Sequence, residues 1–157
     1  MPVGKQEFRT ALGHFASTVT VVTVRCADGR LAGITVTAFS SLSLEPPLVL
    51  ICIDRRAFLH DHLQVGNAFA VNMLAENQEV LSRRFAASDP DQFRGVGYVD
   101  GLEGVPLLDD VLAVVECRVV AEQSGGDHTI FVGQVESTRV TDGKPLLYYR
   151  GGYGRME

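Results

Sequence analysis

No apolar run in the 157-residue sequence approaches the roughly 20 residues that a helical membrane span requires. The longest runs, such as residues 48–53 (LVLICI) and 111–115 (VLAVV), stop far short of it. The N-terminal stretch Met-Pro-Val-Gly-Lys-Gln-Glu lacks the apolar segment of a signal peptide, so a cytoplasmic protein is expected. Basic charge is also scarce. The formal net charge is -5, and the arginines are scattered, which disfavours nucleic-acid binding and its need for a clustered basic face. Cysteine is limited to Cys26, Cys52 and Cys117, an odd and widely spaced set with no CxxC pair. Each lies in a strand-like apolar run, which predicts reduced core thiols rather than a zinc site or redox dithiol.

Catalytic fingerprints are missing too. No GxGxxG follows a strand and opens a helix, and no phosphate-binding P-loop exists. No serine stands in a GxSxG elbow. His60 and His62 flank Asp61, but i and i+2 do not share a helical face, so exposed polar histidines and no metal are expected. His128 follows Asp127, and side chains of neighbours on a turn seldom point at one another, so the pair does not by itself make a triad.

What is present is mostly strand. Phe8, Leu12 and Phe15 recur at helical spacing and predict an opening helix. Residues 17–26 are rich in Val and Thr, which fit a pleated, half-buried surface. Asp28-Gly29 marks a hairpin, and a second strand is predicted over 31–39. Residues 40–47, with serines and a Pro-Pro pair, read as a loop. Strands are predicted over 48–53 and 69–74, a short helix over 58–64, and a helix over 79–87 with Val80, Leu81 and Phe85 on one side. Residues 91–110 are loose and glycine-rich. Two long strands, 112–123 and 129–141, flank a turn, and a short strand covers 145–150. Few helices and short turns point to one domain spanning 1–157, mainly β, with an antiparallel sheet closed as a small barrel and helices at its ends.

Two segments have the composition of a ligand site. Residues 33–41 end a strand in small hydroxyl side chains, which let a flat ring approach backbone N–H groups. Arg55 and Arg56 follow another strand end, where guanidinium groups can hold phosphate oxygens. A polar barrel rim with solvated arginines explains the same composition.

The order of several motifs resembles the flavin reductase-like family, the small reductase components of two-component flavin-dependent monooxygenases. These are the run from Phe8 to Thr23, Gly33-Ile34-Thr35-Val36-Thr37-Ala38-Phe39, Phe69-Ala70-Val71-Asn72, and Arg84-Phe85-Ala86. Gly126-Asp127-His128-Thr129-Ile130-Phe131-Val132-Gly133-Gln134-Val135 is the most specific piece, and the stretch from Pro145 to Tyr153 completes the match.

The resemblance implies a split β-barrel homodimer that binds FMN or FAD near the subunit interface and takes NADH or NADPH as co-substrate. By it, Thr35, Val36, Thr37 and Ala38 lie along the isoalloxazine, and Ser40 and Ser41 reach the ribityl or phosphate portion. Asp54, Arg55, Arg56, Ala57 and Phe58 border the phosphate or adenosine side, which Arg84, Phe85 and Ala86 help close. His128 and Tyr153 lie near the nicotinamide, with His128 positioning it. Thr37 stands where many relatives carry Asn, and several relatives have Ser or Lys near Ala57 and Phe58. The implied activity is hydride transfer from NAD(P)H to flavin, with the reduced flavin passed to a monooxygenase. An FMN-dependent oxidase of a small substrate, a non-catalytic flavin or haem module, and a structural protein without cofactor are the competing expectations.

Overall fold

A computed structural model describes residues 1–157. Its centre is a seven-stranded antiparallel sheet. The strands in chain order are β2 (Thr20–Arg25), β3 (Leu31–Val36), β4 (Phe39–Ser43), β5 (Leu48–Asp54), β6 (Ala68–Met73), β9 (Ala113–Gly125) and β10 (His128–Val140). Across the sheet they run β3-β2-β6-β9-β10-β5-β4. The two edge strands, β3 and β4, are therefore consecutive in the chain, separated only by Thr37 and Ala38. Both edges meet at that dipeptide without pairing to each other, so the sheet rolls into a barrel with one open seam. This is the expected mainly β, split antiparallel barrel.

β2 is buried on both faces because it separates two cores. Val22 and Val24 point into the barrel with Ile51, Phe69, Val71 and Phe131. Val21 faces a second core with Ala70, Phe85, Leu108 and Leu146. That is why its sequence up to Arg25 is only Val and Thr, with no polar face: Thr20 and Thr23 satisfy their hydroxyls on the carbonyls of Val36 and Pro106, each at 2.7 Å.

Several boundaries differ from the sequence reading. The strand expected over 17–26 is divided. Ser17 and Thr18 form β1, which pairs with β11 (Leu146–Tyr149), while Thr20 begins β2 in the main sheet. Val19 is the crossover, donating to Leu146 and accepting from Leu74. The strand expected over 31–39 breaks at Thr37–Ala38. Half of the expected loop 40–47, through Ser43, is β4, held to β5 with Ser40 opposite Leu50 and Ser41 opposite Val49. Its serines are compatible with an edge strand because that edge faces solvent. The helix expected over 58–64 is a short 3-10 helix, Phe58–His62. The loose stretch 91–110 contains a small ribbon, β7 (Tyr98–Asp100) with β8 (Pro106–Leu108), and β8 is fully buried. β12 (Gly152–Arg155), which the sequence did not signal, pairs with β11.

The opening helix, α1 (Lys5–Leu12), forms but ends before Phe15 and buries no residue; Phe8, Leu12 and Phe15 are all exposed. In α2 (Glu79–Ala86) the buried positions are Ser82 and Phe85, whereas Val80 points outward. Of the cysteines, Cys26 and Cys117 are core residues, and burial pushes the Cys117 thiol up to about 12; Cys52 is only half-buried. No helix is long and apolar enough to cross a membrane.

Candidate functional site

The seam where β3 and β4 meet has an unusual backbone. The Ala38 carbonyl accepts from Cys52 at 3.0 Å, and the Thr37 carbonyl accepts from Phe39 at 3.0 Å. Their own N–H groups have no partner in the chain. Thr37 and Ala38 are both exposed, so two adjacent backbone donors face outward beside small side chains. Neighbouring groups are already engaged: Thr35 Oγ1 donates to the Ser82 carbonyl at 2.6 Å, and Ser40 Oγ donates to the Ser41 carbonyl at 2.9 Å. Val36 is buried and belongs to the barrel core.

Along the β3 side of the seam lies a cavity of about 790 Å³. One wall is the start of β3, the second is the beginning of the 3-10 helix with Ala57 and Phe58, and the third is the segment 85–94 that leaves α2. Close packing shapes it. Gly33 lets the Phe85 ring lie flat against β3: a Cβ there would sit 2.8 Å from that ring. Phe93 stacks edge-on against Phe85 at 5.0 Å, and Gln92 Oε1 accepts from the otherwise free edge N–H of Gly33 at 2.9 Å. Arg84 donates to the Arg94 carbonyl at 2.7 Å and so braces the loop rather than facing the cavity.

Of the residues expected to close the phosphate side, Ala86 is at the cavity wall and exposed. Phe85 is a 1% exposed core side chain forming its floor. Arg30, Gln92, Phe93 and Arg94 also line the cavity, and the sequence reading did not single them out. They sit at a turn and in the glycine-rich stretch; only the approach of that stretch to β3 gives them a common place.

Tyr153 joins the far side of α2. Its hydroxyl is 2.7 Å from Ser82 Oγ, the Arg83 guanidinium lies 4.9 Å over its ring, and Tyr148 packs edge-on at 5.4 Å. Ser82, fully buried, thereby links β3 through Thr35 to the C-terminal ribbon through Tyr153.

The tip of the β9–β10 hairpin forms a charged group. His128 stands opposite Asp54 on β5. Its Nδ1 is 2.7 Å from Asp127 Oδ1, so these neighbours do face one another, contrary to the sequence expectation. Gly126 and Asp127 form the two-residue turn between the paired Gly125 and His128. The hydrogen bond and the charge of His128 hold the Asp127 carboxyl below its usual range; the bidentate Arg56 guanidinium does the same for Asp54. Arg55 bonds to Ser124 across the hairpin. His128 shares no hydrogen bond or ring contact with Tyr153 within one chain.

His60 also departs from expectation. Instead of being exposed, its ring is tucked edge-on against Phe131 at 5.5 Å, with Nε2 2.7 Å from Thr129 Oγ1. No three His, Cys, Asp or Glu side chains are grouped so as to hold a metal ion.

The seam fits a flavin. The ring's polar edge carries acceptors that need donors; Thr37 and Ala38 offer two unpartnered N–H groups with no bulky side chain in the way. The cavity touches the same strand only at Leu31, Gly33 and Ile34; Thr35, Val36, Thr37, Ala38, Ser40 and Ser41 are not in its lining.

Comparison with known proteins leads to the same place. A family model described as "Flavin reductase like domain" matches residues 12–157. The reductase component of 4-nitrophenol 4-monooxygenase/4-nitrocatechol 2-monooxygenase from Rhodococcus opacus is 40% identical, over 99% of this chain and 83% of its own. An NADH-dependent flavin reductase from a Rhodococcus species is 42% identical over 95% of this chain and 85% of its own. Among solved structures, the NADH:FAD oxidoreductase SgcE6 of Streptomyces globisporus, in complex with NAD and FAD fragments, superposes with a TM-score of 0.91. It is 37% identical, and the match covers 100% of this chain and 97% of that one. With an open seam of free backbone donors, a cavity beside it, and a match over nearly the whole sequence, this chain belongs to the flavin reductase-like family.

Proposed function

We propose that this protein is an NAD(P)H-dependent flavin reductase that supplies reduced flavin to a partner monooxygenase. The observation that carries this is the pair of unpartnered N–H groups at Thr37 and Ala38, placed at the barrel seam in a chain of this family. When bound, FMN or FAD would supply the acceptor for the nicotinamide hydride, and the reduced flavin itself would be the two-electron carrier.

The chain's own residues bind and orient. Thr37 and Ala38 donate to the polar edge of the ring and stabilise negative charge that builds there. Thr35 acts through its bond to Ser82, which keeps β3 and α2 at a fixed separation. Ser41, whose hydroxyl is unbonded, and Ser40 serve the ribityl side. Ala57, Phe58 and Ala86 border the phosphate or adenosine side. Asp54, Arg55 and Arg56 sit at the hairpin tip, outside the cavity lining, with their charges already paired or bonded. Their part is to set the shape and field of the rim around His128.

His128 positions the nicotinamide: Nδ1 is held by Asp127, and Nε2 has no partner in the chain. Tyr153 presents its ring from the C-terminal ribbon. The rings must come within roughly 3–3.5 Å for hydride transfer, a matter of placement rather than acid–base chemistry. A homodimer explains the exposed apolar side chains of α1, Phe8 and Leu12, and of Phe15 just beyond it, all uncovered in the single chain. It also allows His128 and Tyr153 of different copies to approach one site. The cytoplasm is the expected location, where NAD(P)H is available.

The test is NADH or NADPH oxidation by the purified protein with FMN, FAD or riboflavin added in turn. Flavin-dependent loss of nicotinamide absorbance supports a reductase. Flavin binding without turnover on either nucleotide refutes it.

A further inference from the structure

The two edges of the rolled sheet, β3 and β4, share no ladder, so backbone pairing does not set the width of the seam between them. One element reaches across it. The 3-10 helix follows the end of β5, on the β4 side. Its first residue, Phe58, meets the other side, where the Arg30 guanidinium carbon lies 5.0 Å over its ring. Arg30 immediately precedes β3 and is itself fixed by Asp28, which accepts from Nε at 2.7 Å. Leu59 and Leu63 plug the barrel core beneath.

Buried leucines hold the helix in place without aiming it, because the hydrophobic effect has no direction. The directional tie is His60. Its Nε2 is 2.7 Å from Thr129 Oγ1 on β10, the strand beside β5, and its ring packs edge-on against Phe131 at 5.5 Å. The other ring nitrogen, Nδ1, is 3.0 Å from Asp61 Oδ1. Thr129 is buried, and its hydroxyl has no other hydrogen-bond partner. The His60–Thr129 contact is the one side-chain hydrogen bond between the 3-10 helix and the sheet.

We propose that the 3-10 helix is a staple across the open seam, and that His60 is its positioning residue, fastening the helix to β10 and so setting how far apart β3 and β4 stand at Thr37 and Ala38. This deepens the flavin-reductase reading and rests on it. Hydrogen bonds weaken steeply as distance and angle depart from ideal. Two adjacent backbone donors serve one ring edge only if their strand ends are held in register before the ring arrives. A fixed seam spares the ligand that ordering cost. His60 touches neither the free donors nor His128, so its effect falls on flavin affinity and not on the hydride step.

The test uses four variants. His60→Phe keeps a ring against Phe131 and removes the hydrogen bond. Thr129→Val removes it from the other end at nearly equal volume. The double variant removes both groups, and His60→Gln returns an amide that can reach the Thr129 hydroxyl. Dissociation constants for FMN and for FAD come from flavin fluorescence titration, and kcat from NADH oxidation at saturating flavin. Melting curves verify that each variant is folded at the titration temperature.

Each single variant should weaken FMN and FAD by the same factor, about two- to tenfold, the scale of one hydrogen bond. The double variant should bind no more weakly than the weaker single variant, since one bond can be lost only once. His60→Gln should recover wild-type affinity, and kcat at saturating flavin should stay unchanged throughout. Wild-type flavin affinity in both single variants, even with a lowered Tm, overturns the proposal by making the contact structural alone. Additive losses overturn the pairing of His60 with Thr129. A loss confined to FAD overturns the staple, because the ring that FMN and FAD share is what the seam receives. Failure of the wild-type protein to bind any flavin overturns the functional reading instead, and is distinguishable because it precedes any substitution.

Discussion

Adding one methyl group at Gly33 tests how the site is held. A Cβ on Gly33 would lie 2.8 Å from Phe85 Cδ1 and Cε1 and 3.4 Å from the Val22 carbonyl oxygen. Phe85 has little freedom to give way: it is 1% exposed, sits on the second core, and is backed by Phe93. Overpacking of this kind costs about 1–3 kcal/mol. Alanine recovers about 0.5–1 kcal/mol through its smaller backbone entropy loss relative to glycine. Gly33→Ala is therefore expected to destabilise by up to about 2.5 kcal/mol net, which for a chain of this size lowers Tm by up to about 10 °C.

The functional effect follows from where Phe85 moves. It carries α2 and the 85–94 segment away from β3, stretching the Gln92–Gly33 bond and widening the cavity, so flavin affinity falls along with Tm. Thermal melts and flavin titration of wild type, Gly33→Ala, Phe85→Leu and the double variant form a double-mutant cycle. The smaller leucine makes room for the methyl, so the double variant should be more stable than the two single effects summed. A Tm for Gly33→Ala equal to or above wild type refutes the packing argument. Strict additivity in the cycle refutes the assignment of the clash to Phe85.

Three further outcomes are expected. Asn72 is fully buried, donates to the Val21 carbonyl at 2.9 Å and to Thr23 Oγ1 at 3.1 Å, and accepts from Leu108 N–H at 2.9 Å. Asn72→Ala strands that N–H in the core and should cost about 2–4 kcal/mol in urea unfolding; a loss under 1 kcal/mol would show that β8 rearranges freely. Tyr153→Phe removes the Ser82 bond while keeping the ring, so about 0.5–1.5 kcal/mol of stability is lost, read as a lower Tm, with the ribbon β11–β12 less protected in hydrogen exchange. Unaltered protection there contradicts the link.

The third concerns alkaline pH. The Cys117 thiol is raised by burial from 9.0 to about 12, so between those values the unfolded chain has lost its proton and the folded one has not. The stabilisation is complete below pH 9 and is lost as pH rises, at up to about 1.4 kcal/mol per pH unit. Cys117→Ala should flatten this slope between pH 9 and 11 relative to wild type. Parallel pH profiles would mean that the thiol ionises in the folded state.

Much of this protein was legible before folding was considered. Val- and Thr-rich and apolar runs, the Asp28-Gly29 turn and the two long strands around Gly126 identified an antiparallel β protein, because strand composition and turn chemistry are local properties. The motif order placed it in its family, and residues 33–41 read as a segment where a ring could approach the backbone. Other features required the tertiary structure. Which N–H groups are free depends on which strands pair: Thr37 and Ala38 are unbonded only because β3 and β4 end at opposite edges of one rolled sheet. Phe85 looks like a ligand-facing residue in a motif, yet Gly33, far away in sequence, admits it to the core. Arg30, Phe58, Phe93 and Arg94 share no pattern, and a turn, a 3-10 helix and a glycine-rich loop bring them around one cavity. Asp127 and His128 were adjacent throughout, but only the folded hairpin tip shows their side chains hydrogen-bonded to each other. The chain alone determines local conformation and the identity of its hydrogen-bonding groups. The closing of the sheet decides which of those groups remain available for a ligand, since pairing between distant segments consumes all the others.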